Sequence, residues 1–489
     1  MNRIDQVVEK TYGNYPEKVL QFGEGNFLRA FADWMIDMCN RQGLFNGSIV
    51  LCQPISHGMA QVLNNQNCLY TVAMRGMEDA EAKQNIECIS SVSRCINPYE
   101  DYEALLDIAR SPDLKVIISN TTEAGITYKD GCKLTDRPPE SYPAKLCAFL
   151  YERYRAFSGA GDKGVLVLPV ELIDDNGHVL ERIVKRYAAQ WNLEKGFIEW
   201  LDTSCHITST LVDRIVTGFP RDEVEYFEKE LGYTDDALVT CELFNLWVIE
   251  GDEKWADVLP IHKTPAHVIW TDDVAPYKKR KVRILNGAHT STVLAAFLAG
   301  HDTVGQFMED DVFKGFMNGL LFDEVIPTLD LPKRDLEDFA LAVNDRFSNP
   351  YIKHKLLDIA LNSCSKFNAR CLPSLLSYAD KKGELPKRLV LSLAAFIRFY
   401  KGEFIDGVYT GTRPGGTYSI RDDRDTLEFF ADVWKNGTAQ SVTNAVLSNE
   451  SFWSGRDLTN VSGLESAVAD LLSDMLKRPM REIVKEHSK

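Results

Sequence analysis

The stretch KVLQFGEGNFLRAF, residues 18–31, reads as a buried strand, a glycine turn and the start of a helix. Residues 18–22 have the apolar run of a strand, and over residues 26–41 Phe27, Phe31, Trp34, Met35 and Met38 recur at helical spacing. Between the two, Gly23 permits a tight turn. Gly25 lets the backbone approach a pyrophosphate at the helix start, where free N–H groups and the dipole favour anions. In that reading Val19, Gln21, Phe22, Gly23, Gly25, Asn26, Phe27 and Arg29 form the bed of a dinucleotide. The third glycine of the usual fingerprint is absent, because position 28 is Leu28. A plain strand-to-helix turn is the alternative, and the strand before and helix after favour the nucleotide.

Working outward, residues 48–53, 114–119 and 165–170 are further near-continuous apolar strands separated by helical patterns. Such strands are buried on both faces, so the expected N-terminal fold is α/β, a Rossmann-like, doubly wound parallel sheet. The second strand ends in Cys52-Gln53-Pro54, without the acid that would hold a ribose 2′-hydroxyl. Gln53 could bond that hydroxyl, but it carries no charge to repel a 2′-phosphate. The expected cofactor is NAD, with NADP left open.

After residue 286 helical runs follow one another, at 290–298, 335–343, 351–361, 388–400, 425–434 and 464–476. The expected division is a dinucleotide-binding domain over residues 1–275 and a mostly α-helical substrate and catalytic domain over residues 276–489. The glycine-rich residues 411–416 read as an exposed loop.

Composition narrows the class. A chain of 489 residues is too long for one core, and its 45% hydrophobic and 26% charged content is that of a globular enzyme. A net charge of -16 argues against a nucleic-acid surface, yet leaves room for a local basic cluster around an acidic substrate. Eleven cysteines, an odd number with no C-x-x-C pair, fit reduced thiols. The N-terminus lacks the apolar core of a signal peptide, and the apolar run 389–397 stops at Arg398, well short of a membrane span. The expectation is a cytoplasmic protein with no membrane or nucleic-acid partner.

The chemistry concentrates in KVRILNGAHT, residues 281–290. Lysines beside the basic run Lys278, Lys279, Arg280 would ordinarily be solvated, but Val282, Ile284 and Leu285 follow at once. Hydride transfer to a ketone builds negative charge on oxygen, which must be stabilised and protonated. A lysine can be the acid, an amide can donate to the oxyanion and an imidazole can bond a neighbouring hydroxyl. Lys281, Asn286 and His289 supply these parts, spanning about 140° if the segment is one α-helix. His262 and His267 lack supporting ligands, so no metal site is expected. A nucleotide-binding sensor would need the glycine turn and not this trio.

K-x-x-x-x-N-x-x-H after a Rossmann-like half, with a helical domain following, resembles the long-chain mannitol dehydrogenase family. The stretches QFGEGNFLRAF (21–31), SNTTEAGI (119–126), ELIDDNG (171–177), STLVDRIVTGFPRDE (209–223), KVRILNGAHT and RFSNPYIKH (346–354) carry the likeness over most of the chain. They resemble most closely its uronate-reducing branch. The resemblance implies NAD-dependent, reversible reduction of D-tagaturonate to D-altronate in hexuronate catabolism, with Lys281 as general acid/base and Asn286 and His289 on the carbonyl. Fructuronate or a mannitol-type polyol is the alternative substrate. It implies that Asp213, of the matching V-D-R element, orients the lysine or meets a hydroxyl, unless it merely caps or pairs locally. Where relatives carry S-C-D-N this chain has Pro169-Val-Glu-Leu172, so the role of that asparagine would pass to Asn176. A uronate carboxylate needs cations, for which Arg346, Lys353, His354, Lys366 and Arg370 are candidates, Arg346, Lys366 and Arg370 foremost. The resemblance also implies a monomer or weak oligomer.

Overall fold

The structure is a computed structural model that describes residues 1–78, 81–122 and 124–488; Glu123, within the stretch 119–126, lies outside them. It divides into two compact units, Met1–Gly76 with Lys83–Val274, and Met77–Ala82 with Ala275–Lys489.

The first unit is built on six parallel strands, β1 (Glu17–Phe22), β2 (Ser48–Cys52), β3 (Val92–Ile96), β4 (Val116–Ser119), β5 (Leu166–Pro169) and β6 (His206–Ile207). Their order is β3-β2-β1-β4-β5-β6. This is the doubly wound Rossmann arrangement, and its strand order reverses between β1 and β4, where such sheets bind ligands at their carboxyl ends. Every residue of β2, β4 and β5 is buried, which is why these strands read as unbroken apolar runs. One face packs under Phe31, Met35 and Trp247, the other under Phe149, Leu180 and Tyr187.

Two smaller sheets complete this part of the chain. One contains Tyr70–Glu78, Glu81–Ile89, Val216–Gly218 and Val239–Cys241; the other contains Thr210–Asp213, Leu246–Glu250 and Val268–Thr271.

The helix expected over residues 26–41 is instead two, α1 (Asn26–Arg29) and α2 (Ala32–Arg41). The carbonyls that would carry the helix onward take side-chain donors. The Tyr70 hydroxyl donates to the Arg29 carbonyl at 3.4 Å and Arg214 Nη1 to that of Ala30 at 2.7 Å. Phe31 accordingly leaves helical geometry, at φ -131 and ψ -82.

The second unit is mainly helical. Its centre is Gly287–Ala299, buried at every position from Gly287 to Leu298, as befits a helix apolar nearly all round. Beside it lies Lys387–Phe399, whose Ser392 hydroxyl donates to the Ser291 carbonyl at 2.7 Å. The helix expected over residues 351–361 shrinks to Leu356–Ile359. The chain before it is held extended, because the Val304 N–H donates to the His354 carbonyl and the Leu356 N–H to that of Asp302.

Residues 411–416 are a hairpin rather than an open loop: Pro414 and Gly415 form its exposed turn, and the others belong to a three-stranded antiparallel sheet of Gly402–Ile405, Val408–Arg413 and Gly416–Ser419. Gly411 is small because the Tyr418 ring covers it, with 2.6 Å to the place where a Cβ would stand. That ring meets Phe297 and Phe399, and its hydroxyl donates to the Phe399 carbonyl at 2.7 Å.

Gly177, early in the helix Asn176–Gln190, would place a Cβ 2.0 Å from the carbonyl carbon of Thr208. Because backbone cannot give way as a side chain does, Gly177→Ala is expected to cost about 2–3 kcal/mol or more, read as a fall in Tm. An unchanged Tm refutes that packing.

Candidate active site

At the switch point the chain leaves β1 through Gly23, whose N–H donates to the Cys52 carbonyl at 3.0 Å. Its φ of +125 and the 2.9 Å from its missing Cβ to the Asn120 carbonyl both require glycine. Gly25 is different. It sits at φ -70, exposed, with nothing within 4 Å of where a Cβ would be. Any residue could adopt that backbone, so the space in front of it is what the glycine preserves. Gly25 and exposed Asn26 face outward at the start of α1, a cradle that fits a pyrophosphate.

Other residues expected at the cofactor serve the turn from beneath. Val19 and Phe22 are fully buried, Phe22 packing on the rings of Tyr142 and Phe149. Gln21 is also buried and its Nε2 donates to the Gly23 carbonyl at 3.0 Å. Arg29, 2% exposed, donates to the carbonyls of Glu24 and Ala237 and to Asn26 Oδ1, so its fork has no face left for a phosphate. Phe27, half-buried, stacks on Phe31. The Gln53 amide donates to the Ile55 carbonyl and accepts from the Ala60 N–H, which shapes the loop after β2 rather than offering a hydroxyl partner.

The same correction applies to Asn176. It is 1% exposed, its Nδ2 donates to the carbonyls of Pro169, Glu171 and Thr210, and its Oδ1 accepts from the Gly177 and Thr210 N–H groups. A side chain so fully used joins strand to helix and cannot take a substrate. Leu172 is 63% exposed. Buried Glu171, which sequence reading passed over, accepts from Ser119 Oγ and from the N–H and Oγ1 of Thr121, tying the ends of β4 and β5. Asp213 is buried at the last position of its strand.

In the second unit, the segment Lys281–Asn286 is π-helical, running between the α-helices Ala275–Arg280 and Gly287–Ala299. Its i→i+5 geometry brings residues five apart close to one face, so Lys281 and Asn286 align more closely than in an α-helix. His289 follows one α-turn on. Lys281 and Asn286 are half-buried and His289 is 8% exposed.

The His289 ring stacks on Phe347 at 4.0 Å and 3°, and meets His354 edge-on at 5.3 Å. Its Nε2 is buried and has no hydrogen-bond partner among the described residues. Burial, then the like charges of His354, Arg346, Arg370 and Lys366, hold this imidazole well below its usual pKa of 6.5. It is therefore neutral, a donor or acceptor awaiting a partner. Burial also lowers the pKa of Lys366, Arg370 and His354. Arg370 donates to Thr290 Oγ1 at 3.3 Å, which points it at this helix, and Lys366 donates to the Ile359 carbonyl at 2.9 Å. Arg346 is 7% exposed, whereas Lys353 lies exposed. Partly dehydrated cations around a neutral imidazole can bind a carboxylate beside a polarised carbonyl. Among the described residues no group of three or more His, Cys, Asp or Glu side chains is placed to hold a metal, and no helix is long and apolar enough to cross a membrane.

Residues 17–263 match the mannitol dehydrogenase Rossmann domain and residues 273–476 the mannitol dehydrogenase C-terminal domain. The chain is 48% identical over 478 residues to altronate oxidoreductase of Shigella flexneri, covering 96% of this chain and 97% of that one. It is 47% identical over 476 residues to altronate oxidoreductase of Klebsiella pneumoniae, covering 96% of each. Among solved structures, D-sorbitol dehydrogenase superposes with a TM-score of 0.81 at 19% identity, over 99% of this chain and 100% of that one. Pseudomonas fluorescens mannitol 2-dehydrogenase, in complex with NAD and D-mannitol, does so with 0.66 at 24%, over 98% and 95%. Fold and relatives together define an oxidoreductase acting on CH–OH groups. The chain belongs to the mannitol dehydrogenase family.

Two measurements probe the site. Gly25→Ala should leave the Tm of the free protein unchanged, because nothing meets its Cβ, while weakening dinucleotide binding by about tenfold or more in fluorescence titration. His289 stays neutral when folded but takes a proton in the unfolded chain below about pH 6.5, so stability falls as pH drops through that value. The Tm lost between about pH 7.5 and about pH 5.5 should be smaller in His289→Gln than in the parent protein, and equal losses refute the assignment.

Proposed function

We propose that the chain catalyses the NAD-linked interconversion of D-tagaturonate and D-altronate, with residues 1–275 binding the dinucleotide and residues 276–489 the substrate. The observation that carries this reading is the set of basic side chains Arg346, Lys366, Arg370 and His354 around neutral His289, which lies three residues after Asn286 and eight after Lys281. A neutral polyol would have no use for that charge, and a uronate carboxylate would. The near-full-length likeness to altronate oxidoreductases supports the same substrate.

The residues present fit a nicotinamide dinucleotide through the glycine cradle, and when bound it supplies the hydride. The protein's own contribution is electrostatic and protolytic. Lys281 gives a proton to the carbonyl oxygen in the reduction and recovers it in the oxidation. Asn286 donates an N–H to the same oxygen, stabilising charge as it develops. The orphaned Nε2 of His289 finds its partner in the substrate, and its neutral state lets it donate without adding another cation to the cluster. Arg346, Lys366 and Arg370 hold the carboxylate and so fix which carbon is presented.

A spectrophotometric assay with D-tagaturonate, D-fructuronate and D-fructose in parallel tests this. NADH oxidation is expected with tagaturonate foremost, and Lys281→Ala should lose about 10²–10⁴-fold in kcat while binding cofactor normally. Arg370→Met should raise KM for the uronate far more than for fructose. Preference for a neutral ketose overturns the carboxylate assignment.

A further inference from the structure

Rossmann sheets that prefer NAD commonly end their second strand in an acid that holds the ribose 2′-hydroxyl. Here β2 runs into Gln53, whose amide is spent on Ile55 and Ala60. Beyond the carboxyl ends of β2 and β3 lies a cavity of about 800 Å³, lined by Gln53, Ser56, Gly58, Arg94, Asn97 and Asp101 among others. The one lysine or arginine among its lining residues is Arg94, whose Nε and Nη2 donate to the two carboxylate oxygens of Glu17, at 2.9 Å each.

A carboxylate reaches this region from another element. Glu24, the middle residue of the glycine turn, is 6% exposed, and its Oε1 accepts the Met59 N–H at 3.1 Å. Gly58 has no room for a side chain because of it: a Cβ there would lie 2.1 Å from Glu24 Oε1 and 2.8 Å from the Gln53 side chain. The same carboxylate acts on the thiols of Cys52 and Cys95, at the ends of β2 and β3. The nearby guanidinium of Arg29 is turned to the Glu24 carbonyl rather than to its carboxylate.

We propose that Glu24 supplies, from the glycine turn, the acidic group that the end of β2 lacks, so that it accepts the ribose 2′-hydroxyl of NAD and rejects the 2′-phosphate of NADP. This rests on the dinucleotide reading above. The carboxylate accepts the backbone N–H groups of Met59 and of Glu24 itself, and its remaining lone pairs take the hydroxyl hydrogen. A phosphomonoester in the same place would meet a fixed negative charge, and the cation best placed to offset it is already paired with Glu17. Burial raises the pKa of Glu24, with the Met59 N–H opposing that rise.

Glu24→Gln removes the charge and keeps an oxygen for the Met59 N–H. Dissociation constants of NADH and NADPH for the full chain, read by fluorescence titration, separate the outcomes. The parent protein is expected to favour NADH by about a hundredfold or more, and Glu24→Gln to narrow that ratio at least about tenfold, chiefly through tighter NADPH binding. Glu24→Asp, which keeps the charge, should retain most of the preference. A ratio unmoved by Glu24→Gln would mean the side chain only shapes the turn, and the proposal falls. A parent protein that binds both cofactors equally overturns it without any variant. Binding of neither cofactor overturns the dinucleotide reading itself and takes this inference with it.

Discussion

The glycine turn depends on a buried guanidinium. Arg29 lies 2% exposed and spends its donors on two carbonyls and the Asn26 amide oxygen, joining the turn to the chain at Ala237 more than two hundred residues on. Burying that charge is tolerable only because these acceptors surround it, and removing it would leave several polar groups dry. Arg214 repeats the device, donating to the carbonyls of Ala30 and Glu242 and lying over the Trp34 ring. Arg214 helps to set where α1 stops, and Arg29 how Gly25 and Asn26 are presented. The geometry of the glycine turn is thus decided by side chains buried beneath it.

In the second unit electrostatics depend on a helix. Gly287–Ala299 is buried throughout, so its polar residues His289, Thr290 and Ser291 must find partners in packed protein. Thr290 does, through Arg370, and the Ser291 hydroxyl donates to the Ala288 carbonyl. Among the described residues His289 Nε2 does not, nor does Thr292 Oγ1. Gathering Arg346, Lys366 and Arg370 near that ring makes a locally positive region in a chain of net charge -16, which bulk composition does not reveal.

Legibility followed burial. The strands at residues 18–22, 48–53, 114–119 and 165–170 could be read directly because both faces of a doubly wound sheet are apolar. Strands such as Glu81–Ile89, mostly half-buried or exposed, carry no such run and were not seen. The break in the helix over residues 26–41 was invisible because its cause, Tyr70 and Arg214, is remote in sequence. Residues 411–416 looked like a loop because glycine marks both flexible turns and places where a ring must pass, and here the ring of Tyr418 decides. A sign of Glu24 was present, an acid inside a glycine pair followed by a second strand lacking one, but only its reach to Met59 gives it meaning.

Residue type and spacing alone determined that a glycine turn follows a buried strand, and that lysine, amide and imidazole lie close together before a helical half. Those are local facts, set by the side-chain periods of strand and helix. Tertiary structure decided which of these groups remain free to act. Gln53, Asn176 and Arg29 have the right chemistry but have their donors consumed by neighbouring backbone, while His289 keeps an unpaired nitrogen. The π-helical turn that brings Lys281 and Asn286 closer to one face is likewise a property of the folded segment. Hydrogen-bond capacity belongs to a residue, but whether it is already spent depends on what folding places beside it.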